Sequence, residues 1–143
     1  MRIGVTLRLD REIDAQFAEL REMGMDSCQI VCWNEADLND EMAALVNRAA
    51  RDRKVHISAF WCGWPGPVTW DFYEGHLTLG LVPPVYRDRR TETLLKGSDF
   101  AKKLNVKYLV THAGFLPENP YAPDYQGVLT ALRAIAKRCA QNG

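Results

Sequence analysis

Stretches of apolar and β-branched residues alternate along the chain with stretches in which apolar residues recur at helical spacing. The first stretch, Ile3 to Leu9, places its odd-numbered residues on one face, which is typical of a strand. Asp10 follows it as a plausible helix N-cap. Residues 11–24 then carry apolar side chains at helical spacing up to Gly24, a natural helix stop. The pattern predicts one strand followed directly by one helix.

A second strand-helix unit and the strand of a third unit follow in the first half of the chain. Residues 28–33 form a short apolar run that predicts a second strand, and a helical stripe begins after Asp37. Residues 55–61 predict a third strand. The chain then enters a long stretch rich in Gly, Pro and aromatic residues, 63–86, with the sequence GWPGPVTWDFYEGHLTLGLVPPVY. A loop of this length is usually functional.

The third unit ends with a helix that is expected from near Arg89. Residues 106–112 then predict the strand of a fourth unit. The last helix is expected to begin near Asp124 and to end at Asn142-Gly143. Strands that alternate with helices imply parallel βαβ units, in either a (βα)₈ barrel or an open doubly wound sheet. Neither G-x-G-x-x-G nor G-x-x-x-x-G-K-[ST] occurs, which favours the barrel.

Composition narrows the class of partner. The chain has 143 residues, with 18 Lys and Arg against 18 Asp and Glu, so it carries no net charge to attract nucleic acid or an anionic membrane. A single domain spanning 1–143 is expected. Charged residues interrupt the N-terminus and no apolar segment approaches a membrane-spanning length, so we expect a cytoplasmic protein.

The four cysteines are expected to be reduced and mostly buried. Cys28 and Cys32 lie in a strand-like run and Cys139 lies in a helical pattern. The spacing of Cys28 and Cys32 puts them on the same face of a strand, about 13 Å apart, which is too far for one zinc ion.

Three segments carry a resemblance to a known family: Thr78–Arg90, Lys96–Pro120 and the following PDYQGVLTALRAIAKRC. They resemble the xylose-isomerase-like sugar phosphate isomerase/epimerase family, and THAGFLPENP is the most specific part. The resemblance implies a TIM barrel that acts in carbohydrate metabolism on a sugar or sugar phosphate. It also implies proton transfer next to a carbonyl, assisted by a divalent metal such as Mn, Mg, Co or Zn.

Length sets a limit on this resemblance. A complete barrel takes about 250 residues, so the chain is expected to be truncated relative to it, covering the N-terminal half with about four βα units. The resemblance places the metal ligands mainly on strands five to eight. No residue of this chain is therefore assigned as a metal ligand, and we expect the chain alone to bind no metal.

Active sites of such barrels lie at the carboxyl ends of the strands. His112 ends the fourth predicted strand and precedes Ala113-Gly114, so it is the candidate catalytic residue, placed to hydrogen-bond a sugar hydroxyl or assist a metal. The alternative is a histidine bonded to a neighbouring loop for a purely structural purpose.

Two tryptophans at strand ends, Trp33 and Trp61, are candidate substrate-binding residues because their rings can contact the apolar side of a sugar. Trp64 and Trp70 could add to this wall from the long loop. The alternative is that these rings cap the barrel core.

Two polar candidates complete the substrate-binding set. His76 would reach the pocket if the long loop closes over it, and Glu118 could act as a base or bind a hydroxyl, as could Glu35. Each has a simpler interpretation as a solvated side chain. His56, in mid-strand, is expected to be structural.

The basic cluster formed by Arg87, Arg89 and Arg90 could hold a phosphate, although a solvated helix face is the simpler interpretation.

Three functions stay open at this stage. The first is an isomerase or epimerase that is incomplete in this chain. The second is a non-catalytic half-barrel, either a remnant or one that forms a homodimer through its open sheet edges. An endonuclease acting at abasic sites is the third, disfavoured by the zero net charge and the three histidines.

Overall fold

Four parallel strands form one sheet in the order in which they occur along the chain. A computed structural model describes residues 2–143. The sheet order is β1-β2-β3-β4, and the strands are β1 (Val5–Arg8), β2 (Ser27–Cys32), β3 (His56–Cys62) and β4 (Leu109–Val110). The helices are α1 (Ile13–Glu22), α2 (Asp40–Arg53), α3 (Gly75–Thr78), α4 (Pro84–Lys103) and α5 (Tyr125–Asn142), with a 3₁₀ turn at Glu35–Asp37. The predicted α/β class is confirmed.

Local sequence explains where the helices begin and end. Asn39 caps α2, because its side chain accepts a hydrogen bond from the N–H of Met42 at 2.9 Å. Lys54 ends the same helix in a left-handed conformation with φ 56°. Helix α4 begins with Pro84 in its first turn, where a missing N–H costs nothing.

One face of the sheet is covered by helices. Phe60 of β3 is fully buried and lies 5.2 Å from the ring of Phe100 of α4. Ile30 of β2 occupies the next position across the sheet and is also fully buried. The helices contribute further fully buried apolar side chains to this core, namely Ile13, Phe17, Leu20, Val46 and Leu94.

The other face of the sheet is not covered by the helices of residues 2–143. The strand register aligns Arg8, Val31, Trp61 and Val110 side by side, one from each strand. Successive side chains of a strand point to opposite faces, so this row faces away from the helix-covered core. Arg8 and Val110 are exposed and Val31 and Trp61 are half-buried. We call this surface the inner face.

Several predicted boundaries were wrong for identifiable reasons. The fourth strand spans two residues rather than 106–112, and it starts later than predicted because the Val106 N–H bonds to the Ala101 carbonyl at the end of α4. Ile3 is 67% exposed and lies outside β1. Helix α4 begins at Pro84 rather than near Arg89, and α3 was not predicted. Asp10 precedes α1 without being its N-cap residue, which is Glu12.

The cysteines of the described residues are free thiols, and Cys28, Cys32 and Cys62 are buried. Burial raises the pKa of Cys28 and of Cys62 to about 12, and that of Cys32 to about 11. None of the helices within residues 2–143 is both long and apolar enough to cross a membrane.

Candidate functional site

The carboxyl ends of β2 and β4 bring an indole and an imidazole to one edge of the inner face, on either side of the end of β3. Trp33 follows β2, and His112 lies two residues beyond Val110 of β4. Gly63 follows β3 between them. A Cβ built on Gly63 would lie 2.2 Å from the Trp33 indole, so glycine is what allows that ring to lie across the end of β3.

The long loop after β3 adds two more indoles to Trp33. The ring of Trp33 lies edge-on to Trp64 at 5.2 Å and edge-on to Trp70 at 6.2 Å, measured between centroids. Trp61, one layer deeper, lies 6.2 Å from Trp33. Aromatic rings in such tilted arrangements stabilise one another beyond the area they bury. We call Trp33, Trp61, Trp64 and Trp70 the indole cluster.

His112 is held in a defined orientation beside this cluster. The Gly114 N–H donates to His112 Nδ1 at 3.1 Å, so in the neutral ring the proton lies on Nε2. The Trp64 indole N–H donates to the His112 carbonyl at 3.2 Å, and the Trp70 ring meets the imidazole edge-on at 5.0 Å. His112 is therefore positioned as a hydrogen-bond donor through Nε2.

An open cavity of about 340 Å³ lies beside His112 and Trp70. Its size is within the usual range of small-molecule pockets. The lining residues are mostly apolar, and Asp71 and His112 are those with ionisable side chains: Trp70, Asp71, Phe72, Leu79, His112, Gly114 and Phe115. This combination of aromatic surface and a few polar groups suits a ligand with both apolar and hydroxyl-bearing sides.

Asp71 was not anticipated from the sequence. Its Oδ1 accepts hydrogen bonds from the N–H groups of Tyr73, Glu74 and Gly75. These bonds, that of Glu74 foremost, hold the pKa of the Asp71 carboxyl below its usual range. The aspartate three residues before Glu74 is a turn signal that could have identified this position.

The structure brings together only part of the predicted site. His112, Trp33 and Trp61 converge at the carboxyl edge of the sheet, joined by Trp64 and Trp70. His76 lies exposed on α3 and Glu118 lies exposed in the loop after β4, and neither lines the cavity. Their roles in substrate binding stay predictions.

Glu35 is part of an ion-pair network away from the cavity. Its carboxylate accepts hydrogen bonds from Arg89, Lys96 and the Thr93 hydroxyl, all on α4. The Lys96 hydrogen bond foremost, then those of Arg89 and Thr93, lowers the pKa of Glu35 against the opposing effect of burial. Glu35 fixes the segment after β2 to α4, and its oxygens are not free to act as a base.

The basic cluster neither forms a solvated helix face nor leaves three cations free for a phosphate. Arg89 pairs with Glu35, and Arg87 pairs with Asp124 at 2.8 Å. Arg90 is fully buried and bonds to backbone carbonyls. The interpretation of the cluster as one solvated face was wrong because three arginines within one turn of α4 face different surroundings.

No metal centre is formed within residues 2–143. No three His, Cys, Asp or Glu side chains of these residues lie close enough together to hold an ion. In the neutral ring of His112, Nδ1 accepts the Gly114 N–H and Nε2 carries the proton, so neither nitrogen has a free lone pair for a metal ion. The residues present do not fit a resident metal.

Comparison with known proteins identifies the architecture. A family model described as a xylose isomerase-like TIM barrel matches residues 17–143. The crystal structure of a xylose isomerase domain protein from Planctomyces limnophilus superposes with a TM-score of 0.87 at 22% identity, over 99% of this chain and 50% of that one. A 3-keto-D-glucoside 4-epimerase from E. coli gives a TM-score of 0.68 at 19% identity, over 100% of this chain and 53% of that one.

No curated protein matches the sequence. The chain spans about half the length of the two solved structures, and its fold is half of a TIM barrel. The predicted resemblance and the predicted half-barrel are both confirmed.

The close approach of Gly63 to Trp33 gives a first prediction. Gly63→Ala should destabilise the chain by about 1–3 kcal/mol, because the new methyl group forces the Trp33 ring out of place. In a Trp33→Ala background the same change should cost almost nothing. Urea unfolding of the four proteins measures this coupling, and an equal cost of Gly63→Ala in both backgrounds contradicts it.

The Glu35 network predicts a pH-dependent stability. The lowered pKa of Glu35 contributes stability that is present above pH 4.5 and is lost as pH falls through the folded-state pKa. At pH 7, Glu35→Gln should lower the free energy of unfolding by about 1 kcal/mol, since its cationic partners are half exposed.

The matched control is Glu92→Gln, which removes an exposed partner 3.6 Å from the same Arg89. This control should leave stability unchanged. Urea unfolding at pH 7 and pH 3 measures both variants, and a Glu35→Gln deficit that persists at pH 3 contradicts the prediction.

Proposed function

Because the chain belongs to the xylose isomerase-like TIM barrel family, we propose that it supplies the sugar-binding wall of an isomerase or epimerase. The whole barrel would move a proton next to the carbonyl of a sugar. The observation that carries the proposal is the cavity beside His112 and Trp70, at the carboxyl ends of the strands.

The indole cluster and His112 divide the recognition between them. The Trp70 ring provides a flat apolar surface for the carbon-bound hydrogens of a sugar. Trp33 packs edge-on against this ring and Trp64 stacks on it. His112 Nε2–H would donate to a carbonyl or hydroxyl oxygen, and Asp71 would accept from a hydroxyl. Donation to a carbonyl oxygen polarises it and makes the neighbouring C–H more acidic.

The charge of the cavity supports a neutral sugar at this wall. Asp71 is ionised, and no Lys or Arg lines the cavity. The nearby arginines are bonded to Glu35, Asp124 and backbone carbonyls. A phosphate group placed here would be repelled and left without a cationic partner. A phosphorylated substrate would have to direct its phosphate away from this wall.

The residues that the structure describes, 2–143, bring no three metal-ligating side chains together, so we assign the ligands of any catalytic divalent metal to other parts of the barrel. The contribution proposed for this chain is binding and orientation of the sugar, with His112 as hydrogen-bond donor. His76 and Glu118 keep their predicted substrate contacts only in a conformation in which their loops move toward the cavity.

Sugar binding should be visible in tryptophan fluorescence. D-xylose or D-glucose is expected to quench the indole cluster at millimolar concentration, and glucose 6-phosphate should bind more weakly. His112→Gln and Trp70→Ala should each weaken binding about fivefold, since one hydrogen bond or one aromatic contact is worth about 1 kcal/mol.

His56→Gln is the matched control, because His56 is exposed at the opposite end of β3 and should not affect binding. Unaltered affinity in both site variants contradicts the proposal, as does stronger binding of the phosphorylated sugar.

A second function is favoured by the inner face. Trp33, Tyr108 and Val110 are 41%, 68% and 37% exposed there, and parallel sheets are normally covered on both faces. In the absence of a covalently linked second half, we propose that two copies of the chain cover each other's inner faces and form a homodimer.

The dimer predicts a concentration-dependent mass in sedimentation velocity, rising from 16.2 kDa to twice that value. Val110→Asp should prevent it by placing a charge on the inner face. Val85→Asp, at an exposed valine of α4, should not. A monomer at all concentrations, or a dimer insensitive to Val110→Asp, contradicts this arrangement.

A further inference from the structure

Arg90 is a buried cation that no carboxylate among the described residues neutralises. Its exposure is 0%, and burial lowers its pKa. Four of its N–H groups reach carbonyl oxygens: Nε donates to Pro65, Nη2 donates to Pro67, and Nη1 donates to both Thr78 and Gly80, at 2.6–3.0 Å. Burying a guanidinium is tolerated only where its donors are satisfied in this way.

The four carbonyls come from both ends of the long loop. Pro65 and Pro67 lie just after β3, and Thr78 and Gly80 lie where the chain returns toward α4. The planar guanidinium of Arg90 therefore joins the segment that leaves β3 to the segment that returns to α4. Pro65, Pro67 and Gly80 lie in loop segments and Thr78 is the last residue of α3, so no sheet ladder supplies these carbonyls with an N–H. Arginine provides those donors from one side chain with a fixed geometry.

The returning end of the loop is also fixed to the segment after β4. The Leu81 N–H donates to the Ala113 carbonyl at 2.8 Å. Gly80 has φ +70° and so little space that an added Cβ would lie 2.1 Å from the Ala113 carbonyl. By bonding to the Gly80 carbonyl, Arg90 holds the residue at which the two segments make this close approach.

Two aromatic rings enclose the guanidinium. Arg90 Cζ lies 4.5 Å from the Trp64 ring centroid and 4.6 Å from that of Tyr86. Trp64 in turn donates to the His112 carbonyl and packs edge-on against Trp33. Arg90 does not line the cavity, so it is connected to the indole cluster through Trp64 and to His112 through Trp64 and through Gly80.

We propose that Arg90 is a positioning residue that locks residues 64–82 into the site-forming conformation before any ligand binds. This inference rests on the proposed function only in treating the loop as a wall of a sugar site. The competing account is that Arg90 merely fills core volume. The two accounts differ in the role of the forked guanidinium group. A lysine fills similar volume and keeps the charge, but it cannot donate hydrogen bonds to four separated carbonyls.

The test is hydrogen exchange with mass spectrometry on the ligand-free chain. In Arg90→Lys, amides within residues 68–82 should exchange about tenfold faster or more, while those of β2, β3 and α2 keep their protection. The near-ultraviolet circular dichroism of the indole cluster should fall in parallel. Arg89→Lys is the matched control on the neighbouring residue and should leave the loop protected, because Arg89 bonds to Glu35 instead.

Chemical rescue distinguishes the effect of the guanidinium geometry from the effect of its positive charge. In Arg90→Ala, millimolar ethylguanidinium should restore slow exchange of the loop, and ethylammonium should not. Full loop protection in Arg90→Lys overturns the proposal. So does global loss of protection in both Arg90 variants, because Arg90 would then serve the whole fold rather than the loop. These measurements need no ligand, so a failure of sugar binding in the unaltered chain contradicts the proposed function and leaves this inference intact.

Discussion

The alternation of side chains along parallel strands is the constraint on which the rest of the molecule depends. In each strand, every second residue is directed under the helices, where Ile30 and Phe60 are fully buried. The intervening residues are directed to the inner face, and the strands all end at the same edge. That geometry alone places Trp33, Gly63 and His112 side by side, although they are far apart in sequence.

The strand ends supply only the floor of the candidate site, and the loop after β3 supplies its walls. The four prolines within residues 63–86 carry no backbone N–H, so this loop has fewer donors than carbonyl acceptors. Arginines near the start of helix α4 supply the missing hydrogen-bond donors. Arg87 bonds to the Leu81 and Val82 carbonyls, and Arg90 bonds to four others. The helix that buries the sheet thus also orders the loop that forms the cavity.

Sequence patterns were sufficient for the order of strands and helices because those elements are set by local periodicity. They failed where a long-range contact decides the outcome. The start of β4 could not be placed, since the Val106 N–H bonds to the Ala101 carbonyl of α4. The role of Arg90 was hidden because neighbouring arginines on one helix face different surroundings. His112 and Trp33 were found because strand ends are visible in sequence, whereas Asp71 depends on a loop path that only the fold defines.

Within the proposed function, the ionisable groups of the cavity suit the binding of a sugar better than its turnover. Proton transfer next to a carbonyl needs a base on one side of the sugar and stabilisation of the developing oxyanion on the other. His112 offers a hydrogen-bond donor at Nε2. The Asp71 carboxylate is a weak base, because three backbone N–H groups donate to it and lower its pKa. The indole cluster supplies surface but no ionisable group. A base acting on a sugar held against Trp70 would therefore have to approach from across the inner face, where this chain leaves Val110 and Tyr108 exposed.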